Sequence, residues 1–470
     1  MPNTPLLPGD TWLLNWGRFL LGGALALGLL VTVYLTALAP DLLPALPILL
    51  LAGLAGWWLF THPLANLFVV LCAFVLVASH EEGIQATEAL YALYFLAFLG
   101  HWVVVHLFMR KDHVIRTRED QALILFLAFM TLSIPLTLVF GGSLKGALTE
   151  WLAYMLLGLY FPVRAAVQSS RRGVMVVLVG VAFVGFFVLI RNALNFQEII
   201  VDATAPWQVA RGRVITNSAL ILVPSFIALG LFLAARTVRE LALWFGFFMM
   251  FVAGLLLTQS RGYWLAFAVG AFVIFLLVGA PSRRRLLWSG IVSLLGVVSV
   301  AYILFPDAFL LMATGMINRL FSIGSAISTD PSMVNRYLES QAAMEHVKSN
   351  PILGHGMGTP FRFYDITWEY SMNRAFIHNG YVSLLFKFGL WGTGLVLFFL
   401  GAIFVRSTQS FRRKLGSRTH QAMALGVAGC LAAFSILTIT SNPFYLKDTL
   451  FILGVLSGIG GGAWALRMDS

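Results

Sequence analysis

One histidine and two glycines form the most specific chemical pattern in this sequence. His378-Asn379 is followed by nine residues, then Gly389, and Gly392-Thr393 comes three residues further on. An imidazole changes its protonation state near neutral pH, so His378 is a candidate general base. If the stretch is one helix, the eleven steps from His378 to Gly389 make about three turns and place both on one face. The glycines would then let a neighbouring helix or a lipid chain approach beneath the histidine.

Arginines that lie between or beside apolar runs form a second group. Arg261 stands in the short polar turn Gln259-Ser260-Arg261-Gly262, and Arg191, Arg211 and Arg213 flank another break. A planar guanidinium can make two parallel hydrogen bonds to a phosphate. Arginine at a membrane interface also contacts lipid headgroups with no further role. Both interpretations stay open for each arginine taken alone.

A glycine-rich turn lies upstream of the histidine. An amphipathic pattern predicts a helix over residues 335–347 that stops at Asn350-Pro351. Such a turn can gather backbone amides around a phosphate, but the glycine spacing favours a simple tight re-entry into the next helix. The turn reads Gly354-His355-Gly356-Met357-Gly358.

The composition places these groups in a membrane protein. The 470 residues are 59% hydrophobic and 11% charged, far below the roughly 25% charged residues of soluble domains. The mean hydropathy is +0.86. Apolar runs of about 20 residues predict an all-α polytopic membrane protein with about 12 to 14 transmembrane helices. The predicted spans lie near residues 18–38, 43–60, 64–79, 87–109, 121–140, 147–168, 173–190, 214–235, 240–258, 262–280, 286–305, 377–405, 420–440 and 446–467.

The spacing of the runs predicts three regions. Residues 1–305 carry transmembrane helices with short loops and a longer segment at 191–213, and the early runs interrupted by Pro63 are candidates for broken or re-entrant pieces. Residues 306–376 form a large, partly helical loop domain, and residues 377–470 carry the last transmembrane helices. Lys387 in that last region is expected to pack against another helix or to pair with a carboxylate.

Orientation follows from the lysine and arginine distribution. The loops rich in these residues fall on one face, which is predicted to be cytoplasmic together with both termini, so the candidate site groups lie on the extracytoplasmic face. The net charge of +11 is therefore a topology signal. No nucleic-acid partner is expected, because the basic residues are scattered and no stacking aromatics lie between them. The basic loops are 110–118, 171–172, 236–239, 283–285 and 406–418.

The chain resembles the O-antigen ligases of the O-antigen ligase and polymerase superfamily. The histidine block fits the ligase pattern at each fixed position, and the blocks at 258–262 and 350–358 follow the family's order. The resemblance covers roughly residues 210 to 400, and the N-terminal half matches only in hydropathy. It implies about twelve spans in the bacterial inner membrane, with an active site on the periplasmic face.

The resemblance also implies an activity. An inverting glycosyltransferase would move glycan from undecaprenyl diphosphate onto the lipid A-core oligosaccharide, and His378 would accept the proton of the attacking hydroxyl. Arg261 and Arg211 match the family's functional arginines best, with Arg336 and Arg191 as weaker matches. The residues expected to complete the motifs structurally are Asn379, Gly389, Gly392, Gly354, Gly356 and Gly358.

No metal and no cofactor are expected. The extracytoplasmic side carries no Asp-x-Asp pair and no His/Glu pair at ligand spacing, and the chain has no Walker-type phosphate loop. Glu81, Glu82 and Asp365 are remote candidates for metal ligands. The positive charge for a leaving diphosphate is expected from arginines. These are Arg191, Arg211, Arg213, Arg261, Arg319 and Arg336.

Three other functions remain open. A polymerase of the same superfamily would add the glycan to another lipid-linked chain, and a protein O-oligosaccharyltransferase would add it to a serine or threonine. The motifs do not specify the acceptor beyond the ligase-type histidine spacing. A transporter or flippase would need polar residues along a midplane path, and the apolar runs hold few charges.

Overall fold

The computed structural model describes most of the chain as helix. The predicted first span at 18–38 lies outside the described residues, as do Arg211, Arg213, Arg319, Glu81 and Glu82. The described residues are 45–78, 85–201, 214, 216–304, 309, 313–314, 317, 321, 331–366 and 368–465.

The described residues are all-α apart from one β-hairpin, as the composition predicts. A π-helical turn, Val105–Met109, extends α3, and a 3₁₀ turn, Leu156–Leu159, joins α6 to α7. The helices are α1 (Ala45–Thr61), α2 (Pro63–Val77), α3 (Ala86–Val104), α4 (Arg118–Leu132), α5 (Ile134–Val139), α6 (Leu144–Met155), α7 (Tyr160–Ser169), α8 (Arg171–Val201), α9 (Ala219–Ala234), α10 (Val238–Leu257), α11 (Arg261–Leu277), α12 (Ala280–Leu304), α13 (Pro331–Val347), α14 (Gly380–Arg412), α15 (Arg418–Thr440) and α16 (Lys447–Ala465). The hairpin strands are β1 (Phe361–Asp365) and β2 (Tyr370–Arg374).

Long apolar helices identify a multi-pass membrane protein. Within the described residues, 6 helical segments are long and apolar enough to cross a membrane. The pair Gly53–Thr61 and Pro63–Val77 meets at 118°, which confirms the expectation of a broken or re-entrant piece near Pro63. The total of about 12 to 14 spans stays a prediction. The six segments are Ala86–Met109, Arg118–Val139, Arg171–Ile199, Val238–Leu257, Gly380–Arg412 and Arg418–Thr440.

The chain divides into two compact units. Residues 1–69 and 93–114 form one, and residues 70–92 and 115–470 form the other. Every candidate site residue that the structure describes belongs to the second unit, whose centre is the buried helix α15. Small residues bring α15 close to its neighbours: a Cβ on Gly426 would lie 2.6 Å from the Phe226 carbonyl oxygen of α9. The same close approach recurs at Gly429 against Ile274 of α11.

Helix α15 joins two chemically different ends of this unit. At its start, Arg418 forms an ion pair with Glu240 at 2.8 Å, and Arg285 donates a hydrogen bond to the Ala235 carbonyl, 3.0 Å away. Three of the basic loops expected on one face therefore lie together. The 23 residues of α15 place Thr440 about 35 Å from that end, enough to cross the hydrocarbon of a bilayer.

The main described part of the predicted loop domain, residues 331–366 and 368–376, is folded and is called the loop domain from here on. Helix α13 confirms the predicted helix over residues 335–347, and the antiparallel hairpin β1–β2, which the sequence analysis missed, follows it. Buried side chains join this helix and hairpin to the start of α14. They are Ala343, Val347, Phe361, Phe363, Ile377 and Phe386.

Helix α14 is broken, so the expectation of one continuous helix from His378 to Gly389 is wrong. The helix begins only at Gly380, and Gly389 has φ 57° and ψ −163°. Residues 350–356, here called the inserted segment, fill the break. The Leu390 and Trp391 amides donate to the carbonyls of Pro351 (2.8 Å) and Ile352 (3.3 Å). The groups freed by the break are thus paired by the loop domain, as burial requires.

Candidate functional site

His378 lies where the loop domain meets the end of the helical unit. Its Nδ1 atom is 2.6 Å from the Oε2 atom of Glu339 on α13. The histidine side chain is 29% exposed, whereas that of Glu339 is 2% exposed. The Phe376 ring stands edge-on to the imidazole, with centroids 4.7 Å apart. His378 is therefore held on its buried side and accessible on the other.

The backbone on both sides of His378 is fixed by asparagines. Asn442 donates from Nδ2 to the Ile377 carbonyl at 2.7 Å. Asn379 caps α14: its Oδ1 accepts from the Tyr381 amide at 3.0 Å and from the next amide at 3.2 Å. Asn residues are favoured at such positions because they satisfy the first free amides of a helix. The motif asparagine thus has a structural role beside the histidine.

The glycine-rich turn is built into the helix break. The His355 and Gly356 amides donate to the carbonyls of Phe386 (2.8 Å) and Lys387 (2.9 Å), and the Gly354 amide donates to Asn350 at 3.1 Å. These three amides are therefore already paired with carbonyls of the chain. The geometry favours the structural interpretation of the turn over a phosphate cradle.

The two motif glycines of α14 contact protein. A Cβ on Gly389 would lie 2.3 Å from the Ile352 carbonyl oxygen of the inserted segment. A Cβ on Gly392 would lie 2.5 Å from Phe388 and 2.8 Å from the Phe129 ring. The expected approach of a neighbouring helix is therefore confirmed at Gly392, where α4 contacts the glycine, whereas Gly389 contacts the inserted segment instead.

His355 anchors the inserted segment. Its ring stacks on Phe386 with centroids 4.9 Å apart and an interplanar angle of 8°. Its Nε2 atom lies 3.0 Å from the Ser349 hydroxyl. Burial lowers the pKa of His355, so the neutral ring is favoured at physiological pH.

Arg261 and Arg336 approach the same helix end. Arg336 on α13 donates from a terminal nitrogen to the Thr440 carbonyl at 2.7 Å. Arg261 begins α11 after a tight turn in which Gln259 is buried at φ 50°. The next residue, Gly262, is so close that a Cβ there would lie 3.2 Å from the Thr440 hydroxyl. Two of the four predicted diphosphate-binding arginines therefore lie around the end of α15.

Arg191 is a less clear candidate. It lies within α8, whereas the sequence analysis placed it at the end of a span. It donates to the Asn217 side-chain oxygen at 2.8 Å and interacts electrostatically with the buried carboxylate of Asp448. Part of its positive charge is therefore already balanced within the protein.

The segment 440–448, which runs from the last residue of α15 into the first turn of α16, joins these groups. Its first residue meets Arg336 and approaches the α11 turn, Asn442 holds the residue before His378, and Asp448 interacts with Arg191. The ring of Tyr445 packs on Phe376 with centroids 4.9 Å apart. Neither this segment nor Glu339 was predicted from the sequence. The segment shows itself only as Asn442 and Asp448 in a short break between apolar runs. Glu339 shows itself only as a glutamate in line with Ala343 and Val347 on one helix face.

Lys387 confirms its expected pairing. Its Nζ atom is 2.7 Å from Glu150 of α6, and the two side chains are 0% and 8% exposed. The same atom lies 4.7 Å from the Tyr445 ring centroid. Because it sits at the helix break, this buried pair ties α14 to α6 beneath the loop domain.

A metal site would need several acidic, histidine or cysteine side chains close together. Across the residues that the structure describes, none of these side chains form a group of three or more that could hold a metal ion. Asp365 is buried at the end of β1 and accepts the Trp368 amide at 3.3 Å. Metal independence of the reaction stays a prediction.

Comparison with known proteins agrees with the sequence motifs. Residues 245–399 match the model of a family described as O-antigen ligase. The matched region contains Arg261, Arg336, Glu339, His378 and the broken helix, and it confirms the resemblance to the O-antigen ligase superfamily. No curated protein matches the chain.

Proposed function

Since residues 245–399 match the O-antigen ligase family, whose members are glycosyltransferase-like enzymes, we propose that this protein is an O-antigen ligase. It would move glycan from undecaprenyl diphosphate onto the lipid A-core oligosaccharide. One observation carries this proposal: the segment 440–448 contacts Arg336 and the turn of Arg261 at Thr440, and its Asn442 holds the residue before the partly exposed His378.

The reaction needs a base and a positive charge. The acceptor hydroxyl oxygen forms a bond to the anomeric carbon while its proton passes to the neutral imidazole of His378. The bond between that carbon and the diphosphate oxygen breaks on the opposite face, which inverts the anomeric configuration. The leaving diphosphate keeps the electron pair, and the guanidinium groups of Arg261 and Arg336 stabilise its charge. Arg211 remains a proposed third contact.

The proposed location follows from the two ends of α15. Three of the five basic loops gather at the Arg418 end, which the positive-inside rule assigns to the cytoplasm. His378 and Thr440 lie at the opposite end, on the periplasmic side in this assignment. No metal and no cofactor take part in the proposed mechanism. The loop domain would then face the compartment in which lipid-linked glycan and lipid A-core meet.

A transporter fits the buried charges less well. Lys387 pairs with Glu150, and Arg164 pairs with Asp120 and Tyr160. Charges that neutralise one another in fixed pairs stabilise helix packing, whereas a transport path needs polar groups that face the substrate.

A reconstituted transfer assay tests the function. Purified protein in lipid vesicles is given undecaprenyl-diphosphate-linked glycan as the donor. Parallel reactions contain one acceptor each: lipid A-core, a second lipid-linked glycan or a pilin. We expect product with lipid A-core and its loss in His378→Ala. His420→Ala, at the opposite end of α15, should retain activity. Product with only one of the other acceptors would assign the chain to a polymerase or a protein O-oligosaccharyltransferase, and unchanged turnover in His378→Ala would remove the base.

A further inference from the structure

We propose that Glu339 is a positioning residue that orients His378 and fixes the hydrogen on its Nδ1 atom, so that Nε2 accepts the substrate proton. This inference rests on the proposed function. Its first support is the place of Glu339 in α13. The buried residues of this helix are Glu339, Ala343 and Val347, spaced four apart along one face. A carboxylate on an otherwise apolar face is costly unless it is paired.

The contacts of the carboxylate point to His378. Oε2 lies 2.6 Å from His378 Nδ1, and the buried Oε1 makes no hydrogen bond to any residue that the structure describes. A buried polar atom without a partner costs about 1–3 kcal/mol. Among the described residues, the contact with His378 is therefore the side-chain hydrogen bond that compensates the burial of this carboxylate.

The hydrogen-bond chemistry then sets the tautomer. An ionised carboxylate only accepts hydrogen bonds, so Nδ1 must carry the hydrogen. In the neutral ring the other nitrogen, Nε2, then holds the free lone pair. Because Glu339 is 2% exposed and His378 is 29% exposed, the carboxylate contacts the buried side of the ring and leaves the base accessible.

The loop domain thereby controls the base. Glu339 stands 39 residues before His378, and α13 packs against β1 and the start of α14 through the apolar core. The asparagine contacts fix the backbone around His378, but they leave the choice of protonated nitrogen open. Glu339 supplies that choice only when the loop domain is folded.

The test compares two glutamates of α13. Glu339→Gln keeps the volume, but its amide can present NH₂ to Nδ1 and so favour the opposite tautomer. We expect kcat to fall about 10- to 100-fold, no more than the lower limit of the roughly 10²- to 10⁴-fold that general-base catalysis contributes, because His378 itself is retained, while KM for the donor changes less than about 3-fold. Glu345→Gln is the matched control, since Glu345 is 62% exposed and pairs with Lys348. It should retain wild-type kcat.

Two further measurements separate positioning from folding and from the proposed function. In a His378→Ala background, Glu339→Gln should cause no further fall in the residual single-turnover rate, because it acts through the histidine. In ¹⁵N-histidine-labelled protein, the His378 signal, assigned by its absence from His378→Ala, should show a protonated Nδ1 that is lost in Glu339→Gln. A wild-type ring protonated on Nε2, or an unchanged kcat in Glu339→Gln, would overturn the proposal. The NMR result does not depend on which acceptor is used, so a failed ligase assay would leave it interpretable.

Discussion

Replacement of Gly389 by alanine should disconnect the inserted segment from α14. At φ 57° and ψ −163° the backbone occupies a region that is essentially restricted to glycine, at a cost of about 1–3 kcal/mol for other residues. The new Cβ would also lie 2.3 Å from the Ile352 carbonyl oxygen, so the segment must move. The hydrogen bonds to Pro351 and Ile352 would then weaken, at about 0.5–1.5 kcal/mol each. The total loss is about 2–6 kcal/mol.

The matched control lies on the same helix. A Cβ on Gly394 would meet nothing within 4 Å, so Gly394→Ala should be neutral or stabilise the helix by up to about 1 kcal/mol. Thermal unfolding of both purified variants in detergent compares them directly. We expect the unfolding midpoint of Gly389→Ala to lie roughly 5 °C below that of the wild type. Smaller domains lose roughly 2–4 °C per kcal/mol, and the loss per kcal/mol decreases with chain length. Equal midpoints for Gly389→Ala, Gly394→Ala and wild type would refute the role assigned to the break.

Four other outcomes are expected. Arg261→Lys should lower donor affinity and rate, since an ammonium cannot form the bidentate fork, and unchanged kinetics would make Arg261 an interfacial anchor only. Transfer should persist in excess EDTA, because arginines supply the positive charge for the diphosphate. If EDTA stopped turnover and one divalent ion restored it, a metal ion would take part in the reaction. Lys387→Met should lower the free energy of unfolding by about 3–5 kcal/mol, because it leaves the Glu150 carboxylate buried without its partner. Adding Glu150→Leu should recover most of this loss in the same melting assay. An unchanged midpoint in Lys387→Met would show that the pair does not stabilise the protein. Burial lowers the pKa of His355, so below about pH 6.5 the unfolded chain binds more protons than the folded one. The free energy of unfolding should therefore decrease as the pH is lowered through this range. His355→Phe should remove this contribution to the pH dependence.

The membrane class and the amphipathic helix of the loop domain were predictable because hydropathy and periodicity are local properties of the sequence. The Lys387 pair was predictable for a related reason, since a charge in an apolar run needs a partner wherever it lies. The match over residues 245–399 supports the O-antigen ligase superfamily, to which the short motifs also point.

The break at Gly389 could not be predicted from spacing. The same residue spacing fits a continuous helix and a helix that begins at Gly380 and is broken at Gly389. The inserted segment that fills the break lies roughly 35 residues upstream in the chain. Glu339 was missed for the same reason: its contact with His378 exists only after α13 folds against the hairpin. Pairings between distant segments decide the site, and one sequence shows no direct signal of them.

The inserted segment also imposes an order on biogenesis. Residues 350–356 are synthesised before α14, yet the amides of His355 and Gly356 find their acceptors on Phe386 and Lys387. Until residues 386 and 387 have been made, these amides cannot form the hydrogen bonds of the folded protein. The inserted segment therefore cannot complete its fold before the first half of α14, and Glu339 likewise waits for the chain to reach His378.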